Sequence, residues 1–149
     1  MSIELLKIED YEECGNIWDM KKHAGLAEQF SAELKSGNRM IWVYQQNGAF
    51  LGEIALVKEK NDPDYTIPNR RIYVSRLIVK REYRRQGIGR ALVAFVTEKA
   101  RELGYRELTI GVDLDNYAAL KLYIDSGFDK VLFLGEDEQG RYVKLLKTV

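Results

Sequence analysis

The sequence holds one cysteine and one histidine in 149 residues. A lone Cys14 excludes an internal disulfide, and neither it nor His23 stands in a metal-ligand spacing, so a disulfide scaffold and a metal site both fall away. Only two prolines occur, Pro63 and Pro68, and no low-complexity tract or repeated period accompanies them, so nothing marks a linker. Net charge is lacking too: 23 basic residues stand against 23 acidic ones, with a pI near 6.6. The whole chain therefore lacks the positive field that draws proteins to nucleic acid. Met1 to Asp10 mixes charged and apolar residues without a continuous apolar run, which argues against a signal peptide or membrane span and for a cytoplasmic protein. The length suits one domain, residues 1–149.

What is present is a clear alternation of strand and helix patterns. Ile3 to Ile8 reads as a short strand, and Asp10 with Glu13 offers the N-cap pair of a helix running to Met20. Leu26, Phe30 and Leu34 recur at four-residue spacing, which predicts a helix from about Gly25 to Lys35, stopped by Ser36-Gly37-Asn38. Met40 to Gln46 and Ala49 to Lys58 are rich in aromatic and β-branched residues, and Asn47-Gly48 between them suits a two-residue hairpin turn. Glu59 to Asn69 holds both prolines and reads as a loop, long enough for a lid. Arg70 to Val79 is a strand ending in Leu77, Ile78 and Val79, an apolar run that predicts burial on both faces at the sheet centre.

From Ile88 the apolar positions Ala91, Leu92, Phe95, Val96, Ala100 and Leu103 form the stripe of an amphipathic helix closed by Gly104. Glu107 to Val112 reads as a strand, and Asp115 or Asn116 caps a helix through Ser126 that buries Ala119, Leu122 and Tyr123. Phe128 to Leu134 and Tyr142 to Lys147 form a closing hairpin around Asp137 to Gly140. The order predicts an α/β fold with a mixed sheet.

The most informative segment is Arg84-Arg85-Gln86-Gly87-Ile88-Gly89-Arg90, between a strand and a long helix. Gly87 and Gly89 permit positive φ and close backbone approach, so successive N–H groups can line one concavity at the helix start. The helix terminus adds roughly half a positive charge, and Lys80, Arg81, Arg84, Arg85 and Arg90 surround it, so a diphosphate would sit well there. A dinucleotide fingerprint would need glycine where Leu92 stands, and the Gly-Lys-Ser/Thr of a P-loop is absent. The alternative is a tight turn with a solvated basic run.

Arg84, Gly87 and Gly89 fill the Arg/Gln-x-x-Gly-x-Gly/Ala pattern of the GNAT superfamily of acetyl-CoA-dependent N-acetyltransferases, which the chain resembles. The resemblance extends through Leu77-Ile78-Val79 before the motif and through Asn116 to Phe128, which is similar to the family's second cofactor-contacting helix. It implies a GNAT-like fold with a central mixed sheet, splayed strands and flanking helices. It further implies that Leu77, Ile78 and Val79 hold pantetheine and the thioester through backbone groups, a freed N–H polarising the carbonyl. Arg84, Arg85, Gln86, Gly87, Ile88, Gly89 and Arg90 would hold the diphosphate, and Asn116 would contact the cofactor unless it is an N-cap alone.

The implied chemistry is acetyl transfer from acetyl-CoA to an amine by direct attack in a ternary complex. Tyr123 matches the family's tyrosine and is the candidate general acid, against a core tyrosine with a bonded hydroxyl. Glu53 is the candidate base, working through water, against a solvated strand glutamate. Arg76 and Tyr73 could face the acceptor, Asp62 and Asp64 could attract a cationic amine, and Cys14 and His23 carry no assigned role. A small-molecule primary amine is the first acceptor expected, with a protein or peptide amine and a non-catalytic CoA sensor as alternatives. Neither nucleic acid nor membrane is an expected partner, and self-association of relatives leaves a homodimer open.

Overall fold

The strands hydrogen-bond in the order β1-β2-β3-β4-β5-β7-β6, a seven-stranded mixed sheet in a computed structural model that describes residues 1–149. The elements are β1 (Ser2–Leu5), a 3-10 run (Ile8–Asn16), α1 (Ala24–Ser36), β2 (Arg39–Gln46), β3 (Ala49–Val57) and β4 (Arg71–Val79). A 3-10 turn (Arg81–Tyr83), α2 (Ile88–Glu102), β5 (Glu107–Asp113), α3 (Tyr117–Asp125), β6 (Lys130–Asp137) and β7 (Gly140–Thr148) complete the chain. No helix is long and apolar enough to cross a membrane. Contacts cluster into two units, one of Met1–Val57 with Arg76–Phe95, the other of Lys58–Ser75 with Val96–Val149.

In the first unit, β1, β2 and β3 form an antiparallel meander, and Asn47 and Gly48 turn the hairpin with φ of 53° and 79° as the sequence predicts. The expected helix from Asp10 to Met20 is instead the 3-10 run, and Lys7 rather than Asp10 precedes it, without a side-chain cap. Tyr11 and Cys14 are its buried residues, and Ile17 just past its end is buried with them. Their three-residue spacing matches the turn of a 3-10 helix, and Gly15 among them weakens an α-helix. These side chains join Trp18, Phe30 of α1, and Ile41, Val43, Phe50 and Ala55 of the meander in one core.

Burial along the sheet corrects one expectation. Phe50 to Val57 of β3 are buried throughout, whereas Leu77, Ile78 and Val79 of β4 are only half-buried. The reason lies in the second unit, where β4 and β5 pair in parallel through Arg71↔Glu107, Ile72↔Leu108 and Tyr73↔Thr109. The ladder ends there although both strands continue, so β4 has no paired residue on β5 from Val74 onward. β5 pairs antiparallel with β7 along its full length, and β6 forms the edge with Val131, Phe133 and Leu134 exposed.

Candidate functional site

In the first unit, the turn before α2 has the properties of an anion cradle. Gly87 has φ of 85°, and Arg85 takes the second left-handed position, φ of 64°, that the sequence assigned to Gly89. Gly89 instead lies in the first turn of α2 with ordinary helical geometry, because the helix begins one residue earlier, at Ile88. A Cβ added at Gly87 would meet nothing within 4 Å, so the concavity is open to a ligand. The N–H groups of Arg85, Gln86, Gly87, Ile88, Gly89 and Arg90 have no acceptor in the chain; the first donor of the helix is Ala91, to the Gly87 carbonyl at 3.0 Å. Consecutive unsatisfied amides at a helix N-terminus favour an anion, so these residues fit a diphosphate.

The helix start is fixed by close packing on β3. A Cβ at Gly52 would lie 3.2 Å from Ile88 and 3.3 Å from Leu92, so only glycine lets α2 approach this strand so closely. Arg84 folds back, its Nε donating to the Val79 carbonyl at 3.0 Å, which occupies one lone pair of that oxygen. Lys80 is likewise engaged: its ammonium donates to Asn16 Oδ1 at 3.0 Å, and Asn16 in turn donates to the Phe50 carbonyl. Arg81, Arg85 and Arg90 remain exposed beside the cradle.

Glu53 is not the solvated glutamate of an outer strand face; it is 3 % exposed. Burial pushes its carboxyl up to about 6, against the opposing pull of Arg76, the Trp18 indole and Arg39. The indole N–H is near enough to favour the carboxylate yet falls outside hydrogen-bond geometry, and Glu53 Oε1, Trp18 Nε1 and Arg76 Nε are all buried without partners. Arg76 stacks its guanidinium carbon 4.4 Å from the Trp18 ring centre, and Arg39, salt-bridged to Glu33, lies 3.8 Å over Phe30. Cys14 is fully buried and burial raises its thiol well above the ordinary range, so it is no nucleophile. His23 precedes α1 as an exposed residue without a capping bond.

In the second unit, Tyr123 is the one buried residue of α3, packed edge-on against Phe128 with ring centres 6.0 Å apart. Burial, then the neighbouring Tyr73, raises its phenol to about 12, so it stays protonated through the neutral range. Asn116 caps α3, its Oδ1 accepting from the Ala119 N–H at 3.3 Å. Tyr123, Asn116 and Tyr73 line one cavity of about 450 Å3 together with Asp62, Tyr65, Gly111, Asp113, Asp137, Tyr142 and Lys144.

The loop after β3 walls this cavity and is tied down rather than free. Lys144 of β7 donates to Asp62 at 2.8 Å and to Asp64 at 3.1 Å, Thr109 donates to the Tyr65 carbonyl at 2.7 Å, and Arg71 bonds the Pro63 and Asp64 carbonyls. Burial opposes the Lys144 ammonium, but the two aspartates outweigh it and raise its pKa; the same bond from Lys144 lowers that of Asp62. Asp62 and Asp64, which the sequence offered to an incoming amine, thus already hold the Lys144 ammonium. Tyr65, Tyr142, Asp113 and Asp137 carry no motif; the β5-β7 register, pairing Asp113 with Tyr142 and Gly111 with Lys144, aligns the strands of the site.

The model of the acetyltransferase (GNAT) family matches residues 5–128. N-acetyltransferase family 8 member 3 of Rattus norvegicus is 32 % identical over 108 residues, 72 % of this chain and 46 % of that protein, so the chain spans about half the length of this curated relative. Aminoglycoside 6'-acetyltransferase type Ii superposes with a TM-score of 0.80 at 15 % identity over 99 % of this chain and 97 % of that one. An aminoglycoside 6'-N-acetyltransferase solved with coenzyme A gives 0.76 at 13 % identity, over 99 % and 97 %. With the glycine turn, the interrupted β4-β5 ladder and a family match over most of its length, the chain belongs to the GNAT acetyltransferase family.

Proposed function

We propose that this chain transfers an acetyl group from acetyl-CoA to the primary amine of a small molecule, by direct attack and without an acyl-enzyme. The observation that carries the reading is the run of six acceptorless amides from Arg85 to Arg90 at the start of α2, in a chain of the GNAT family. These amides bind the diphosphate, with Arg81, Arg85 and Arg90 adding positive charge. Acetyl-CoA supplies the activated acyl group as a thioester. Leu77, Ile78 and Val79, half-buried at the end of β4, hold the pantetheine through their backbone groups, and Asn116 contacts the cofactor.

The proton bookkeeping assigns the remaining roles. As the amide C–N bond forms and the C–S bond breaks, the amine gives up one proton and the thiolate needs one. Tyr123, protonated at neutral pH and lining a cavity, donates to the thiolate. Glu53, with a pKa of about 6, is ionised at pH 7 yet basic enough to accept a proton, and its burial beneath Trp18 makes water the carrier. The deep burial of Cys14 supports direct attack, since no other thiol is present to be acylated.

The test is release of CoA thiol from acetyl-CoA in the presence of an amine panel that includes small amines and peptide N-termini. Turnover of small amines by the native chain, and its loss in Tyr123→Phe with acetyl-CoA still bound, is the expected result. Binding of acetyl-CoA with no thiol released by any amine would make the chain a sensor, and turnover of peptides alone would move the acceptor to protein.

A further inference from the structure

Resting on the acetyl-transfer reading, the chemistry of the cavity at Tyr123 narrows the acceptor. Three carboxylates line it, Asp62, Asp113 and Asp137, against a single ammonium, Lys144. Lys144 is committed to Asp62 and to Asp64. Asp113 and Asp137 make no ion pair; the only side-chain bond of the two is Asp137 Oδ1 accepting from the Gln139 N–H at 2.9 Å. The lining is therefore left with uncompensated negative charge, which disfavours an anionic or zwitterionic occupant and favours a cation.

Aromatic faces add to the charge. Tyr65 and Tyr73 stack with centres 4.3 Å apart, and Tyr142 and Tyr123 complete the wall. Ring faces attract ammonium groups, and the chain's own lysines already occupy two of them: the Lys144 nitrogen lies 5.0 Å from the Tyr65 centre and the Lys60 nitrogen 5.3 Å from that of Tyr73, which leaves Tyr142 and Tyr123 to a ligand. One polar group in the lining is also unspent. Tyr123 is only 7 % exposed, and its hydroxyl has no hydrogen-bond partner in the chain although its atom is not sealed from the cavity. A buried phenol without a partner is left for a ligand.

We infer that this cavity takes an acceptor carrying a second positive charge, an alkyl diamine or polyamine. Its reacting amine lies toward Tyr123 and its distal ammonium at Asp113 and Asp137, beside Tyr142. The volume of about 450 Å3 suits an acceptor of that size.

The test compares α,ω-diamines of four to eight carbons with the monoamines of equal length, as acceptors in thiol release. The expected result is a kcat/KM at least tenfold higher for the best diamine, carried by KM. In Asp113→Asn/Asp137→Asn, whose side chains are exposed and whose fold is checked by thermal melting, that preference falls to within about twofold. Calorimetry of 1,6-diaminohexane with CoA present gives a second readout, expected to show binding by the native chain and a loss of at least tenfold in the double variant. Equal use of diamines and monoamines, or a preference that survives in the variant, overturns the inference while acetyl transfer stands. Acetyl-CoA binding with no thiol release from any amine overturns both.

Discussion

Arg76 sits over Trp18, its guanidinium carbon 4.4 Å from the ring centre, and Glu53, whose carboxyl feels both, is buried with an unpartnered Oε1. A guanidinium that stacks rather than bonds leaves the carboxylate only partly compensated, which is why burial wins and the pKa rises from 4.5 to about 6. A carboxyl with a raised folded pKa binds its proton more tightly when folded. Its contribution to stability is complete below pH 4.5 and is lost as pH rises through 6.

Glu53→Gln removes that dependence. Relative to the native chain, the variant is expected to gain about 2 kcal/mol between pH 4 and pH 8, measured by urea unfolding at both values. Activity moves the other way. Native kcat/KM should rise with an apparent pKa near 6, and the variant should be slow with that inflection gone; a native profile flat from pH 5 to 8 would remove Glu53 from the base role.

Tyr123→Phe keeps the ring against Phe128 and removes only the unpartnered hydroxyl, so the fold should be unchanged. If the hydroxyl supplies the thiolate's proton, kcat falls about 100-fold while acetyl-CoA affinity, measured by calorimetry, stays within a few-fold. Because the phenol titrates at about 12, it should contribute no inflection between pH 6 and 9. An unchanged kcat would make Tyr123 a packing residue.

Local signals explain which parts of this molecule were legible in the sequence. Asn47-Gly48, the α2 stripe and the Asn116 cap are short-range patterns, and each element forms where its own residues place it. The Arg85 to Arg90 cradle was legible for the same reason, since one turn holds all of it, though the second left-handed residue is Arg85 rather than Gly89. What was not legible depends on strands meeting. The half-burial of Leu77 to Val79 follows from a ladder that stops at Tyr73, and the cavity at Tyr123 from a register that sets Asp113 beside Tyr142. Neither can be read from alternation within one strand, because register is a property of the pair. The 3-10 run failed through a cap pattern, Asp10 with Glu13, that the three-residue spacing of Tyr11, Cys14 and Ile17 overrode.

At the cradle, Gly87→Val places a β-branched residue at φ of 85°, a conformation that costs it more than 1 kcal/mol, so the turn must change shape. The surroundings are open, so the loss is one of geometry and not of packing. CoA affinity is expected to fall at least tenfold by calorimetry, with the thermal midpoint shifted by only a few degrees. Full CoA affinity in a folded Gly87→Val would place the diphosphate elsewhere.

Tyr65 reaches across β5 because Gly111 has no side chain. A Cβ there would lie 2.3 Å from the Tyr65 hydroxyl and 3.3 Å from its ring carbon, while stacking on Tyr73 and the Thr109 bond to the Tyr65 carbonyl hold the ring in place. Gly111→Ala should therefore overpack the site and cost about 1–3 kcal/mol in urea unfolding. Tyr65→Phe deletes the colliding oxygen, and because that hydroxyl has no hydrogen-bond partner in the chain, the single change should cost little. The double variant should then recover most of the Gly111→Ala loss, giving a coupling of about 1 kcal/mol or more in a double-mutant cycle. Strict additivity would mean that Tyr65 simply swings away. The tyrosine wall of the cavity would then be mobile rather than built around the glycine.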